Sequence, residues 1–209
     1  MAVVITVAQQ KGGAGKTTLA ANLAAALAGD KRVALLDIDP QHSLRRWHAI
    51  RAAREGAAAI AFSDAAGWRV AAEIEKLGRA YEVVLIDSPP QIDADARRAI
   101  RAANLVVIPL QPSSPDLWAA EGTLKLAQEE KRRTALVLNR VPAAGKLRDA
   151  MAGELARHGL SVLDATLGNR AAYAQAFAAG LGVTEFAPRS AAATEVRALA
   201  AAVMAAAAG

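Results

Sequence analysis

The sequence predicts a doubly wound α/β fold: a mostly parallel sheet with helices on both faces. Short runs rich in Val, Ile and Leu alternate with Ala-rich stretches of helical length. The runs are continuously apolar rather than alternating, the pattern of strands buried on both faces. The first run leads directly into a glycine-rich loop and then a helix, the opening of a nucleotide-type βα unit.

In chain order, strands are expected at 3–8, 33–38, 58–62, 83–86, 105–108 and 135–138, with a weaker one at 162–165. Helices are expected at 16–28, 44–54, 68–77, 93–102, 116–129, 147–158, 170–179 and 194–207. No Pro/Gly/Ser linker interrupts this alternation and no internal repeat is present, so residues 1–209 are expected to form a single domain.

The chain has 209 residues, 54% of them hydrophobic but only 4% aromatic, so Val, Ile and Leu must fill the core, with Ala where elements pack closely. It has no cysteine, which excludes disulfides, thiolate metal sites and iron–sulfur ligation. The start reads as a strand rather than a signal peptide, and no uncharged apolar run is long enough to span a bilayer. A soluble cytoplasmic domain is expected. A net charge of +5 and a pI of about 9.9 permit binding to nucleic acid or an anionic surface, but an Ala/Arg-rich composition also produces them, and single basic residues on helix faces are usually just solvated.

The chemistry is concentrated in Lys11-Gly12-Gly13-Ala14-Gly15-Lys16-Thr17-Thr18. Gly12, Gly13 and Gly15 let the backbone curl so that successive N–H groups face one anion at a helix N-terminus. Ala14 completes the turn. Lys16 would lie along the β- and γ-phosphates of ATP or ADP, the Thr17 hydroxyl would ligate Mg²⁺, and Thr18 would contact the α-phosphate. The loop departs from the usual pattern: Gln10 stands where its first glycine falls, and a second lysine, Lys11, sits inside it. Lys16 already fills its own nucleotide's side, so Lys11 is expected to reach across a dimer interface to a partner's phosphates, as an arginine finger does elsewhere.

Carboxylates follow at two strand ends. In Leu35-Leu36-Asp37-Ile38-Asp39-Pro40-Gln41, alternation places Asp37 and Asp39 on one side, facing the loop. Asp39 is expected to position the attacking water and Asp37 to support the Mg²⁺ hydration shell. Val83-Val84-Leu85-Ile86-Asp87 has the Walker B form, and Asp87 is expected to reach Mg²⁺ through water. At a later strand end, Asn139 and Arg140 suit an adenine edge and its face; an ordinary loop explains them equally.

Taken together, these residues resemble the ParA-type partition ATPases, a branch of the deviant Walker A family that also contains MinD, the nitrogenase iron protein and ArsA. Residues 37–47 look like the segment after the second strand in the small, ParF-like members. Residues 109–117 and 173–186 are similar to later family segments. The resemblance implies ATP hydrolysis, an ATP-dependent sandwich homodimer, nonspecific DNA binding on the nucleoid, and stimulation by a ParB- or ParG-like centromere-binding protein. It places the signature and Walker lysines at Lys11 and Lys16, and the switch aspartate at Asp39. A first strand so close to the start is expected to lack the helix-turn-helix extension of larger members.

Two other readings stay open. A MinD-like positioning ATPase calls for a basic, bulky amphipathic C-terminal helix, whereas 194–209 is mainly Ala with Arg197 as its one basic residue, so no membrane is expected. A P-loop small-molecule ligase gives no reason for Lys11. For DNA phosphates the candidates are Lys146, Arg148, Arg157 and Arg170.

Overall fold

A computed structural model of the chain describes residues 2–91, 93–142, 151, 153, 155, 160 and 162–209. The apolar runs form β1 (Val3–Val7), β2 (Val33–Asp37), β3 (Ile60–Asp64), β4 (Val83–Asp87), β5 (Leu105–Leu110) and β6 (Arg133–Leu138). They make one sheet in the order β3-β2-β4-β1-β5-β6, and every pairing is parallel. The chain runs outward from the central β1 first to one edge and later to the other, which leaves a crevice at the carboxyl end of β1, where open α/β sheets take ligands.

Successive side chains on each strand go to opposite faces. Ile5, Val7, Leu35, Leu85, Val107 and Val137 face one layer. That layer holds α1 (Lys16–Leu27), α2 (Ser43–Ala52), α6 (Ala171–Ala178), α7 (Val183–Phe186) and α8 (Ala191–Ala208). Val4, Leu36, Ile86, Val106, Ile108 and Leu138 face the other. There they meet α3 (Arg69–Ala80), α4 (Ala94–Ala102) and α5 (Ser114–Glu129). Each such side chain, fully buried, stabilises the fold by roughly 1.5–3 kcal/mol before entropy is set against it.

The doubly wound α/β expectation holds, with local differences. The stretch 162–165 is not a strand: Val162 makes a single bridge to Leu136, and the backbone then runs irregularly beside β6. β3 lies two residues later than expected because its register sets Ile60 against Val33 and carries the pairing on to Asp64. α8 begins at Ala191 because the Ser190 hydroxyl accepts from Ala193 N (3.2 Å) and caps it. α7 was not anticipated; Gly182 fits against α1 where a Cβ would lie 2.4 Å from that of Ala25. α8 is long and apolar enough to cross a membrane by length and composition, but Val196, Leu199 and Val203 are packed in the main core. The helix expected over 147–158 lies largely outside the described residues, as do Lys146, Arg148 and Arg157.

Candidate nucleotide site

The glycine loop joins β1 to α1. Gly13 (φ 75°) and Gly15 (φ 93°) take the left-handed backbone that favours glycine. Gly15 is required twice over, since a Cβ there would lie 2.5 Å from Asn139 Nδ2. The Asn139 amide donates to Ala14 O (2.9 Å), and its Oδ1 accepts from Arg140 N (2.9 Å). Asn139 therefore clamps the loop from the end of β6, a role the sequence reading did not give it. No side chain caps α1, so its first-turn N–H groups and its dipole face the loop's concavity.

Asp37 and Asp87 stand side by side at the carboxyl ends of β2 and β4, on the face that carries α1. Asp87 is fully buried, and neither of its oxygens has a hydrogen-bond partner among the described residues. Burial pushes its carboxyl up to about 8; the Thr17 hydroxyl beside it opposes the shift, Asp37 and Asp39 add to it, and Lys16 opposes it. Lys16 is itself buried, which lowers its pKa against the pull of Asp87 and Asp39.

Asp37, expected to support the Mg²⁺ hydration shell, also has a backbone role. Its Oδ1 accepts from Asp39 N (3.0 Å) and its Oδ2 from Arg45 N (3.1 Å), so it fastens the turn after β2 and the first turn of α2. Burial raises its pKa, and those backbone bonds pull it back. Asp39 accepts from Gln41 N (2.9 Å), leaving its second oxygen without a hydrogen bond among the described residues.

Lys11 does not extend away from its own chain here. Its Nζ lies 2.6 Å from Asp116 Oδ2, and that carboxylate is almost wholly buried. Ser113 Oγ (2.6 Å) and Gln111 N (3.3 Å) also donate to Asp116. Burial alone would raise the Asp116 pKa, but Lys11 and Ser113 outweigh it and hold the carboxyl low. Asp116 went unrecognised as a site residue in the sequence, where Ser113-x-x-Asp116 reads as an ordinary helix start.

Beyond Gly15 the loop opens into a pocket of about 410 Å³. Thr18, Leu19 and Asn22 of α1 line one side; Asn139, Arg140, residues 167–171, Tyr173 and Ala174 line the other. Arg170, expected at DNA phosphates, stands in this wall and is paired with Glu195 (2.6 Å).

The residues fit a divalent cation carried in with phosphates. Among the described residues no group of three or more His, Asp or Glu could hold a metal ion. Among the described residues the one orphaned buried carboxylate is Asp87, next to the Thr17 hydroxyl. Mg²⁺ suits such a sparse set because it keeps several waters and takes phosphate oxygens as ligands.

The chain is 30% identical over 198 residues to the maintenance of carboxysome distribution protein A of Halothiobacillus neapolitanus, covering 90% of this chain and 89% of that protein. It is 30% identical over 186 residues to the protein ParA of Rhizobium radiobacter, covering 85% and 83%. In fold it is similar to the septum site-determining protein MinD of Pyrococcus horikoshii OT3, solved with Mg-ADP (TM-score 0.77, 19% identity, 97% and 96% covered). Residues 5–183 match the model of the CobQ/CobB/MinD/ParA nucleotide binding domain, and the chain belongs to that family of P-loop NTPases.

Proposed function

We propose that the protein is an ATP-driven partition or positioning ATPase of the ParA type. ATP with Mg²⁺ would occupy the loop and convert the chain into a sandwich homodimer. That dimer would bind DNA nonspecifically on the nucleoid in the cytoplasm and hydrolyse ATP slowly until a ParB- or ParG-like partner stimulates it. The observation that carries this reading is the pair of lysines on one loop. Lys16 is buried and feels the charges of Asp87 and Asp39, a setting that suits the protein's own phosphates. Lys11 is half-exposed and anchored by a single carboxylate outside the phosphate cradle, so it is the lysine free to serve a second subunit. A P-loop small-molecule ligase gives no reason for that second cation.

Bound Mg²⁺ would supply charge neutralisation between the phosphates, held by Thr17 and Asp87. Asp39, with an oxygen to spare beside Lys16, is suited to orient the attacking water. One relative is named for the carboxysome and the other is named only ParA, so the cargo is the part left to experiment.

The deciding measurement is binding of the ATP-loaded protein to random-sequence DNA across a salt series. Binding that needs ATP and falls steeply with salt is expected. Binding to anionic lipid vesicles instead of DNA would shift the reading to a MinD-like membrane ATPase.

A further inference from the structure

The pocket beyond Gly15 has one wall that no β-ladder supports. Residues 167–169 are tied to the end of β6 by Leu167 N to Leu138 O, Val141 N to Leu167 O and Asn169 N to Val141 O, each 2.9 Å. After Asn169 the chain leaves that edge, and Arg170 and Tyr173 continue the wall into α6. One carboxylate collects this stretch. Glu195 accepts from Gly168 N (3.0 Å), from Arg170 Nε (3.0 Å) and Nη2 (2.6 Å), and from the Tyr173 hydroxyl (2.8 Å). It projects from α8, between Ala192 and Val196 of the core-facing stripe, and its own side chain is largely covered. The same helix packs along α1, whose first residue follows the phosphate loop.

A nucleotide whose phosphates lie on the loop would put its base in this pocket, between Leu19 of α1 and the wall at Leu167 and Tyr173. A flat heterocycle is held by apolar contact plus a few fixed polar groups, so its affinity depends on the wall being in place before it arrives. We propose that Glu195 is a positioning residue for the base-side wall, so that the C-terminal helix sets how tightly the base, and not the phosphates, is held. This inference rests on the nucleotide reading above. Glu195 lies behind the wall, not in the pocket lining, and acts through Gly168, Arg170 and Tyr173.

Calorimetric titration with Mg-ATP and with Mg-tripolyphosphate separates the two halves of the site. Glu195→Ala is expected to weaken ATP about tenfold while leaving tripolyphosphate within about twofold. Glu195→Gln keeps one acceptor oxygen but sets an amide against Arg170, and should fall between the two. Should Glu195→Ala fail to fold, the Gln variant carries the test, with its melting temperature as the control. Equal weakening of both ligands, or unchanged ATP binding in a folded variant, would overturn the proposal. So would a parent protein that binds ATP no better than tripolyphosphate, although the phosphate-loop reading would survive that result. A parent that binds neither ligand would defeat the nucleotide reading itself.

Discussion

Asp87 carries the largest electrostatic penalty in the nucleotide site. Its carboxyl is raised from 3.8 in the unfolded chain to about 8 when folded. Between those values the folded chain holds a proton that the unfolded chain has released. The group's contribution to stability is therefore full at low pH and is lost as pH rises towards 8. Asp87→Asn should exceed the parent's melting temperature by a margin that is small near pH 5 and grows towards pH 8, measured with EDTA and no nucleotide. A variant less stable at pH 8 would mean that Lys16 keeps the carboxylate charged. Lys11 poses the complementary case. Lys11→Ala leaves Asp116 buried with only Ser113 and Gln111 N as donors. A loss of about 1–2 kcal/mol in urea denaturation is expected. The same variant should no longer dimerise on ATP in light scattering; normal ATP-dependent dimers would refute a role for Lys11 between subunits.

At the scale of elements, α2 is the piece the site depends on and the sheet does not hold by ladder bonds. Asp37 fastens its start through Arg45 N. Its end is fixed by Arg51, which is buried and forms a double contact with Glu185 of α7 (2.6 and 2.8 Å), with a further bond to Ala58 O (2.6 Å). Removing one partner of such a pair leaves the other's charge buried and unmatched. Arg51→Ala should cost about 3 kcal/mol in chemical denaturation. Arg51→Met with Glu185→Leu should recover much of that loss; if it does not, the backbone bonds to Ala58 and Gly180 matter more than the charges. The elements themselves were largely legible in the sequence, because runs such as Val83–Asp87 are apolar on both faces and flanked by Ala-rich helices. What was hidden depends on contacts between distant parts of the chain. Nothing near Asn139 says that its amide closes on Ala14, and nothing near Glu195 says that it gathers Gly168, Arg170 and Tyr173. The glycine loop could be read because all its groups are local; Asp116 could not, because its meaning is given by Lys11, 105 residues away.

For the whole molecule, the topology sets the order in which the site can exist. β1 is synthesised before both its neighbours in the sheet, β4 and β5, which arrive much later. Val4 N must wait for Asn104 Oδ1 (2.8 Å), and Ala14 O for Asn139. Glu195, which fastens the pocket wall, lies on α8, later in the chain than every strand of the sheet. Non-local pairing of this kind delays folding, since loop closure precedes its reward. On the ribosome the glycine loop therefore emerges before its partners, and unformed. Nascent chains stalled before β5 should fail to bind an ATP resin, and chains extended past α8 should bind it. The placement of β1 between two strands made after it thus ties nucleotide capture to their arrival, a built-in check that the rest of the sheet exists before the loop can be switched on.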